Sequence, residues 1–338
     1  MRSELIHKIF GPAENLTNEL ILDVFRYQYE QNTLYRDFCQ AVHRSPEKVQ
    51  ELTDLPFLPI RFFKSHQVVT GQYSPETWFE SSGTTGTMNS RHYLRTMELY
   101  RKSFIGGFNL FYGNPSDWCI IGLLPSYLER QHSSLVVMVD DLIRLSGHSQ
   151  SGFYLYDFDR LENTLTTLEL AGQKVLLIGV TFALLDFAEL FPMELRHTTI
   201  METGGMKGRR KEITRVELHE ILAKAFGHPP IHSEYGMTEL LSQAYAGDNG
   251  HFYTPPWMKI LLREEDDPLA ILPRSGYSPP EDTGRAKNGA INVIDLANLD
   301  SCCFIATDDM GKMYPDGGFE VLGRIDNSDI RGCSLMTV

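Results

Sequence analysis

Long hydrophobic runs are missing from this chain of 338 residues. No stretch reaches the roughly 18 to 20 uninterrupted apolar residues that a membrane helix needs, so a membrane span is not expected. The N-terminal MRSELIHKIFG offers neither an apolar core nor a small-residue cleavage site, which argues against a secretory signal. Positive charge is also short: 31 Lys and Arg stand against 44 Asp and Glu, a net −13. A surface of that sign repels the phosphates of a nucleic acid, which is excluded as a partner. Cysteine is scarce, with five residues (Cys39, Cys119, Cys302, Cys303 and Cys333) and no pair at metal-ligand spacing. An odd, scattered set fits reduced cytoplasmic thiols rather than a disulfide framework. What remains is ordinary for a globular chain: 42% apolar and 22% charged residues. The length suits one large α/β domain, or a main domain with a small appendix.

Residues 16–53 read as helical, with Leu20, Ile21, Val24 and Phe25 at helical spacing. The prolines of DLPFLPIRFFKS then make a joint. Beyond it, the runs WCIIGLL (118–124), KVLLIGV (174–180) and HTTIME (197–202) read as strands covered on both faces. Helices are expected at 90–105, 133–145, 181–190 and 210–226, the last with Ile213, Val216, Ile221, Leu222 and Phe226 on one stripe. Strands alternating with helices imply a mostly parallel sheet. After residue 250 the prolines multiply, and AINVIDL, CCFIAT and FEVLG suggest a smaller antiparallel section. The expected division is a helical cap over 1–66, an α/β nucleotide-binding core over 67–250, and a β-rich section with a tail over 251–338 in the same domain.

The stretch SSGTTGT (81–87) packs five hydroxyls and two glycines into seven positions. Gly83 and Gly86 free the backbone to approach a ligand, successive amides make an anion nest, and the hydroxyls add donors. With TWFE read as the strand entering and a helix leaving, the placement suits phosphate. No lysine follows, so a Walker A loop is excluded. A polar surface turn is the competing reading. HSEYGMTEL (232–240) sets an aromatic face, a glycine, a hydroxyl and the Glu239 carboxylate within five residues, a set suited to stacking a base and holding Mg²⁺. METGGMKG (201–208) supplies another glycine pair at a strand end, and ATDDMG offers Asp308 for a ribose. Such loops meet outside the carboxyl ends of parallel strands. Cys333 follows Arg331 and Gly332, a cation that favours its thiolate and a glycine that frees the tail.

Taken in order, SSGTTGT…H, EYGMTE, ATDDMG and GRIDNSDIRG resemble the core motifs of adenylate-forming enzymes, a superfamily that includes acyl-CoA synthetases and firefly-type luciferases. LPFLPIRFFKS, LLPSYLERQHSSLVVM and RGCSLM resemble more narrowly the LuxE-type acyl-protein synthetases of bacterial bioluminescence, from about residue 15 to the end; phenylacetate–CoA ligases are a more distant match. The resemblance implies an α/β core of the N-terminal type of these enzymes. It implies ATP and Mg²⁺ as cofactors, a carboxylic acid of the fatty class as substrate, and a partner protein that accepts or reduces the acyl group. By position it assigns Ser81, Ser82, Gly83, Thr84, Thr85 and Gly86 to the β- and γ-phosphates, and Gly204 and Gly205 to the loop flanking the purine. Glu234, Tyr235, Gly236, Met237 and Thr238 fall on the adenine and α-phosphate loop. Glu239 matches the Mg²⁺ ligand, Asp308 the ribose ligand and Arg324 the conserved arginine. His132 falls near the acyl group, although a satisfied surface histidine is an equal reading, and Cys333 matches the acyl-carrying cysteine, although a tail cysteine of no consequence is the plain alternative.

The chain departs from the superfamily in two places. The hinge lysine position reads Arg331, and only fourteen residues follow Arg324, where a mobile C-terminal domain is usual; that domain is expected to be absent. TGD has become TDD. Two functions follow: an enzyme making an acyl-adenylate and passing the acyl group to a thiol, or a nucleotide-binding subunit or sensor of the same fold without the chemistry.

Overall fold

The structure is a computed structural model and describes residues 1–81, 88–124, 132–204, 213–247, 249–272 and 286–325. A short helix, α1 (Arg2–Ile9), leads to α2 (Asn18–Gln31), which starts where the Thr17 hydroxyl accepts the Leu20 amide. The helical reading of 16–53 is interrupted. Asn32 takes an extended backbone and its side chain accepts the Tyr35 amide at 3.0 Å, ending α2 and capping α3 (Thr33–Ala41) in one residue. His43 then takes a positive φ of 56°, and no α-helix follows up to residue 53. The proline joint carries β1 (Leu58–Pro59) and the single turn α4 (Phe62–Ser65).

The expected helix over 90–105 opens as a strand. β2 (Thr77–Glu80) and β3 (Arg91–Leu94) form an antiparallel hairpin, and α5 (Glu98–Tyr112) begins only after it. The reason is in the alternation of RHYL, where His92 and Leu94 face inward and Arg91 outward, a period of two that a helix cannot use.

From here strands and helices alternate as expected. β4 (Cys119–Leu123), α6 (Ser134–Ser146), β5 (Gly152–Phe153), α7 (Phe158–Leu170), β6 (Val175–Gly179), α8 (Thr181–Leu190), β7 (Thr198–Glu202), α9 (Arg215–Phe226) and β8 (Ile231–Tyr235) give five parallel strands in the order β5-β4-β6-β7-β8. β5 and α7 are additions between the first two strands that were read. β4 and β6 are buried at every position, as continuous apolar runs between helix layers should be. The stripe of α9 differs from expectation: Leu218, Leu222 and Phe226 are buried, whereas Val216 is 67% exposed. Spacing of four residues keeps the first three on one face. α9 stops at Gly227, at a φ of 71°, with the Glu194 carboxylate packed where a Cβ would project.

The sheet then changes sense. β9 (Ala244–Ala246), β10 (Phe252–Tyr253), β11 (Met258–Arg263), β12 (Lys287–Asp295), β13 (Phe304–Met313) and β14 (Phe319–Arg324) are antiparallel and continue the same sheet in the order β8-β9-β10-β14-β13-β12-β11. β1 adds to β13 in parallel. The result is a mixed α/β fold, with one large sheet flanked by helices and a separate two-stranded antiparallel hairpin. No helix among the described residues is long and apolar enough to cross a membrane.

Candidate active site

The loop Gly236–Gln243 leaves β8 where the sheet turns from parallel to antiparallel, and it is held from three sides. From below, the Asp295 carboxylate at the end of β12 accepts the amides of Leu241 (2.8 Å) and Ser242 (2.9 Å) and the Ser242 hydroxyl (2.6 Å). Burial pushes the Asp295 carboxyl up, and these donors offset only part of that. Beside it, Asn298 donates to the Glu239 carbonyl at 2.8 Å. That turn is in turn fixed by α2: Gln28 donates to the carbonyls of Asn298 and Leu299, both at 3.1 Å, and accepts the Cys303 amide at 2.8 Å. α2 is thus tied to the loop through the buried Gln28.

From the hairpin side, His92 on β3 donates from Nδ1 to the Thr238 carbonyl at 3.0 Å. Burial holds this imidazole down at about 4, so it is neutral near pH 7 and its Nδ1 proton is committed to the carbonyl. Ser81 and Ser90 close the base of the connection between β2 and β3: the Ser81 amide donates to the Ser90 carbonyl (3.0 Å) and the Ser90 amide to the Ser81 hydroxyl (2.9 Å). The glycine–hydroxyl connection therefore joins two antiparallel strands, and the expected strand-to-helix passage is corrected. Ser82, Gly83, Thr84, Thr85 and Gly86 themselves lie outside the described residues, as do Gly205 and Cys333.

On the third side stands β13. Side chains alternate along a strand, so its paired aspartates face opposite ways. Asp309 accepts the Tyr235 hydroxyl at 3.0 Å and lies 3.5 Å from Arg324 Nε. Asp308, the residue singled out for a ribose, accepts Arg61 Nε at 3.1 Å. Tyr235 and Arg324 thus meet through Asp309, a carboxylate the sequence did not single out. His132 is stacked on Trp78 with centroids 4.1 Å apart and bonded to the Trp78 carbonyl at 3.0 Å. Gly204 takes a φ of 66° and donates its amide to Glu202 at 2.8 Å, one strand over from Tyr235. Met237 is half-buried against the core.

Glu239 differs from all of these. It is 2% exposed, and its Oε2 is buried without a hydrogen-bond partner among the described residues. An isolated buried carboxylate oxygen is costly unless something electropositive meets it. No cluster of three potential metal ligands exists among the described residues. A single carboxylate nevertheless fits Mg²⁺, which keeps several waters and takes one or two protein oxygens plus substrate phosphates.

Residues 9–104 match the family described as acyl-protein synthetase, LuxE. The chain resembles LuxE. A long-chain-fatty-acid–luciferin-component ligase of Vibrio harveyi is 22% identical over 95% of this chain and 87% of its own length. The ligase of the same description from Aliivibrio fischeri is 20% identical over 96% and 89%. Among solved structures, an O-succinylbenzoate coenzyme A synthetase from Bacillus subtilis, in complex with ATP and magnesium ion, is 17% identical with a TM-score of 0.48, over 74% of this chain and 50% of that one. The LuxE-like reading made from the short motifs is thereby borne out, and the full-length relatives are ligases.

Proposed function

We propose that this LuxE-like chain activates a carboxylic acid of the fatty class with ATP and passes the acyl group to a thiol. The buried, unpartnered Glu239 oxygen carries the reading, because it stands in a loop braced from α2, β3 and β12 and asks for a cation. In the first step an oxygen of the acid's carboxylate attacks the α-phosphorus, the bond from that phosphorus to the bridging oxygen breaks, and pyrophosphate leaves. Mg²⁺ held by Glu239 would supply Lewis-acid stabilisation of the phosphate charge. The amides of 236–238, in a loop already braced by its neighbours, are read as donors to the phosphates, a role the resemblance also gives to the SSGTTGT stretch. In the second step a thiolate attacks the acyl carbon and AMP leaves. Cys333 is the acceptor proposed within the chain, and an acyl-accepting or reductase protein the onward partner. His132 is assigned no step in this chemistry. Pyrophosphate exchange into ATP, driven by a panel of fatty and aryl acids, tests the reading. Exchange that depends on one class of acid supports it, and nucleotide binding without exchange across the panel favours a sensor.

The ribose assignment has its own test. Asp308→Ala is expected to weaken ATP by about 1.5 to 3 kcal/mol, the range for a lost charge-assisted hydrogen bond. Calorimetry on Asp308→Ala beside Asp309→Asn decides between the two carboxylates. A loss confined to Asp309→Asn moves the ribose contact to the side of Tyr235 and Arg324.

A further inference from the structure

Two carboxyl groups stand at the ends of neighbouring parallel strands, and their surroundings are opposite. Glu202 closes β7 at 4% exposure, with the Gly204 amide at 2.8 Å, His219 Nε2 at 3.9 Å and the Ser233 hydroxyl around it. Burial pushes this carboxyl up, but the donors prevail and hold it below its ordinary range. Glu202 therefore carries the charge.

Glu234, one strand over on β8, has no such help. Ser233 is the register partner of Glu202, so Glu234 is turned to the other face of the sheet. There its register partner is Tyr245 of β9, which packs edge-on against Tyr112 of α5 at 5.3 Å. The Tyr112 hydroxyl meets His232 Nδ1 at 3.1 Å. No donor among the described residues reaches the Glu234 carboxyl. Its Oε1 lies so close over Gly236 that no Cβ fits there, which brings the carboxyl past the strand end to the start of the Gly236–Gln243 loop. Glu234 is half-buried, and that burial, then the charge of Glu202, push this carboxyl up to about 8. The hydroxyls of Tyr100, Tyr112 and Tyr245, which face it from α5 and β9, are raised by burial and stay neutral. Environments that drive two carboxyls apart in this way mark one as the anion and the other as the donor.

We propose that Glu234 binds the substrate acid, its O–H donating to the acid's carboxylate and setting that group against the loop that begins at Gly236. The inference rests on the acid-activating reading above and extends it to the substrate's anionic end. A free carboxylic acid is an anion at neutral pH, and an ionised Glu234 beside Glu202 would repel it. A neutral donor admits it. The other carboxylate oxygen stays free to attack phosphorus. As the acid becomes an acyl group it loses its charge and the hydrogen bond weakens, so the contact serves binding more than turnover. The sign of the pH effect follows: below about pH 8 the donor is present, and above it the donor is lost and a charge appears.

Acid-dependent pyrophosphate exchange, run across pH with the most active acid of a fatty and aryl panel, tests this in wild type, Glu234→Gln and Glu234→Ala. In wild type the KM for the acid should be flat below about pH 8 and rise about tenfold per pH unit above it, as the competent fraction falls. Glu234→Gln keeps a neutral donor and should abolish that rise. Glu234→Ala should raise the acid KM by about 10- to 100-fold near pH 7, the loss expected for a charge-assisted hydrogen bond. Should Glu234→Ala fail to fold, the near-isosteric Glu234→Gln and its pH profile decide alone. The same rising profile in wild type and Glu234→Gln, or an alanine variant with the wild-type acid KM, overturns the role of Glu234 while leaving the proposed activity standing. A wild type without exchange on any acid overturns both.

Discussion

Glu239→Gln is expected to lose at least about 100-fold in magnesium-dependent turnover, because a metal's stabilisation of phosphate charge is worth several kcal/mol and each 1.36 is tenfold. Glutamine keeps the shape of the side chain and an oxygen in the same place, but it removes the charge a hard cation requires. The backbone contact that holds residue 239 is its carbonyl, which accepts from Asn298, and a side-chain substitution leaves that bond intact. The fold should therefore persist. Moreover, wild type buries this carboxylate oxygen without a partner, so in the absence of metal the neutral variant should melt at or above the wild-type temperature. Turnover with a magnesium titration, read beside thermal melts with and without the ion, separates the outcomes. Unchanged turnover would remove Glu239 from the site. A cooperative loss of folding would make the residue structural.

Cys333→Ser should eliminate an acyl adduct outright. The four described cysteines are poor acceptors: all are buried, and burial pushes every thiol up, Cys39 to about 12 and Cys119, Cys302 and Cys303 in the same direction. A thiolate is the nucleophile, so at neutral pH these side chains are inert. Cys333 follows Arg331 and Gly332, a setting that favours the thiolate. Wild type incubated with ATP, Mg²⁺ and an active acid should yield a hydroxylamine-labile adduct on the peptide carrying Cys333, with serine at that position giving none. An adduct that survives the substitution, or none in a wild type that exchanges pyrophosphate, removes Cys333 from the reaction and leaves the acceptor to a separate protein.

How much of this was legible before the structure depends on the reach of each signal. β4, β6 and β7 were readable because strands buried on both faces are continuous apolar runs, and local pattern suffices for them. β3 was not, since a four-residue strand leaves little to set against an adjoining helical run. The helix of 16–53 was overextended because Asn32 is an unexceptional residue until its side chain is seen capping α3. Within the site, the residues of EYGMTE were visible as a cluster, whereas their supports were not. Gln28 reaches carbonyls some 270 positions away and Asp295 an amide 54 positions away, and no spacing rule encodes such contacts. Asp295 did leave one trace, as a charged residue inside the apolar run AINVIDL, where only a satisfied carboxylate is tolerable. Between Asp308 and Asp309 the sequence reading chose Asp308 without sight of which way each faces, because facing is set by the pairing of β13 with β14.

The central claim is that a carboxylate oxygen becomes bonded to the α-phosphorus of ATP, and oxygen tracing tests it most directly. The acid is supplied with both carboxylate oxygens labelled as ¹⁸O, together with ATP, Mg²⁺ and the wild-type protein, and the AMP released is weighed. Attack at phosphorus followed by cleavage at the acyl carbon, whether by a thiolate or by water, leaves one labelled oxygen on AMP. AMP carrying a single ¹⁸O is the predicted result, and AMP formed in step with acid consumption but without label would contradict the account.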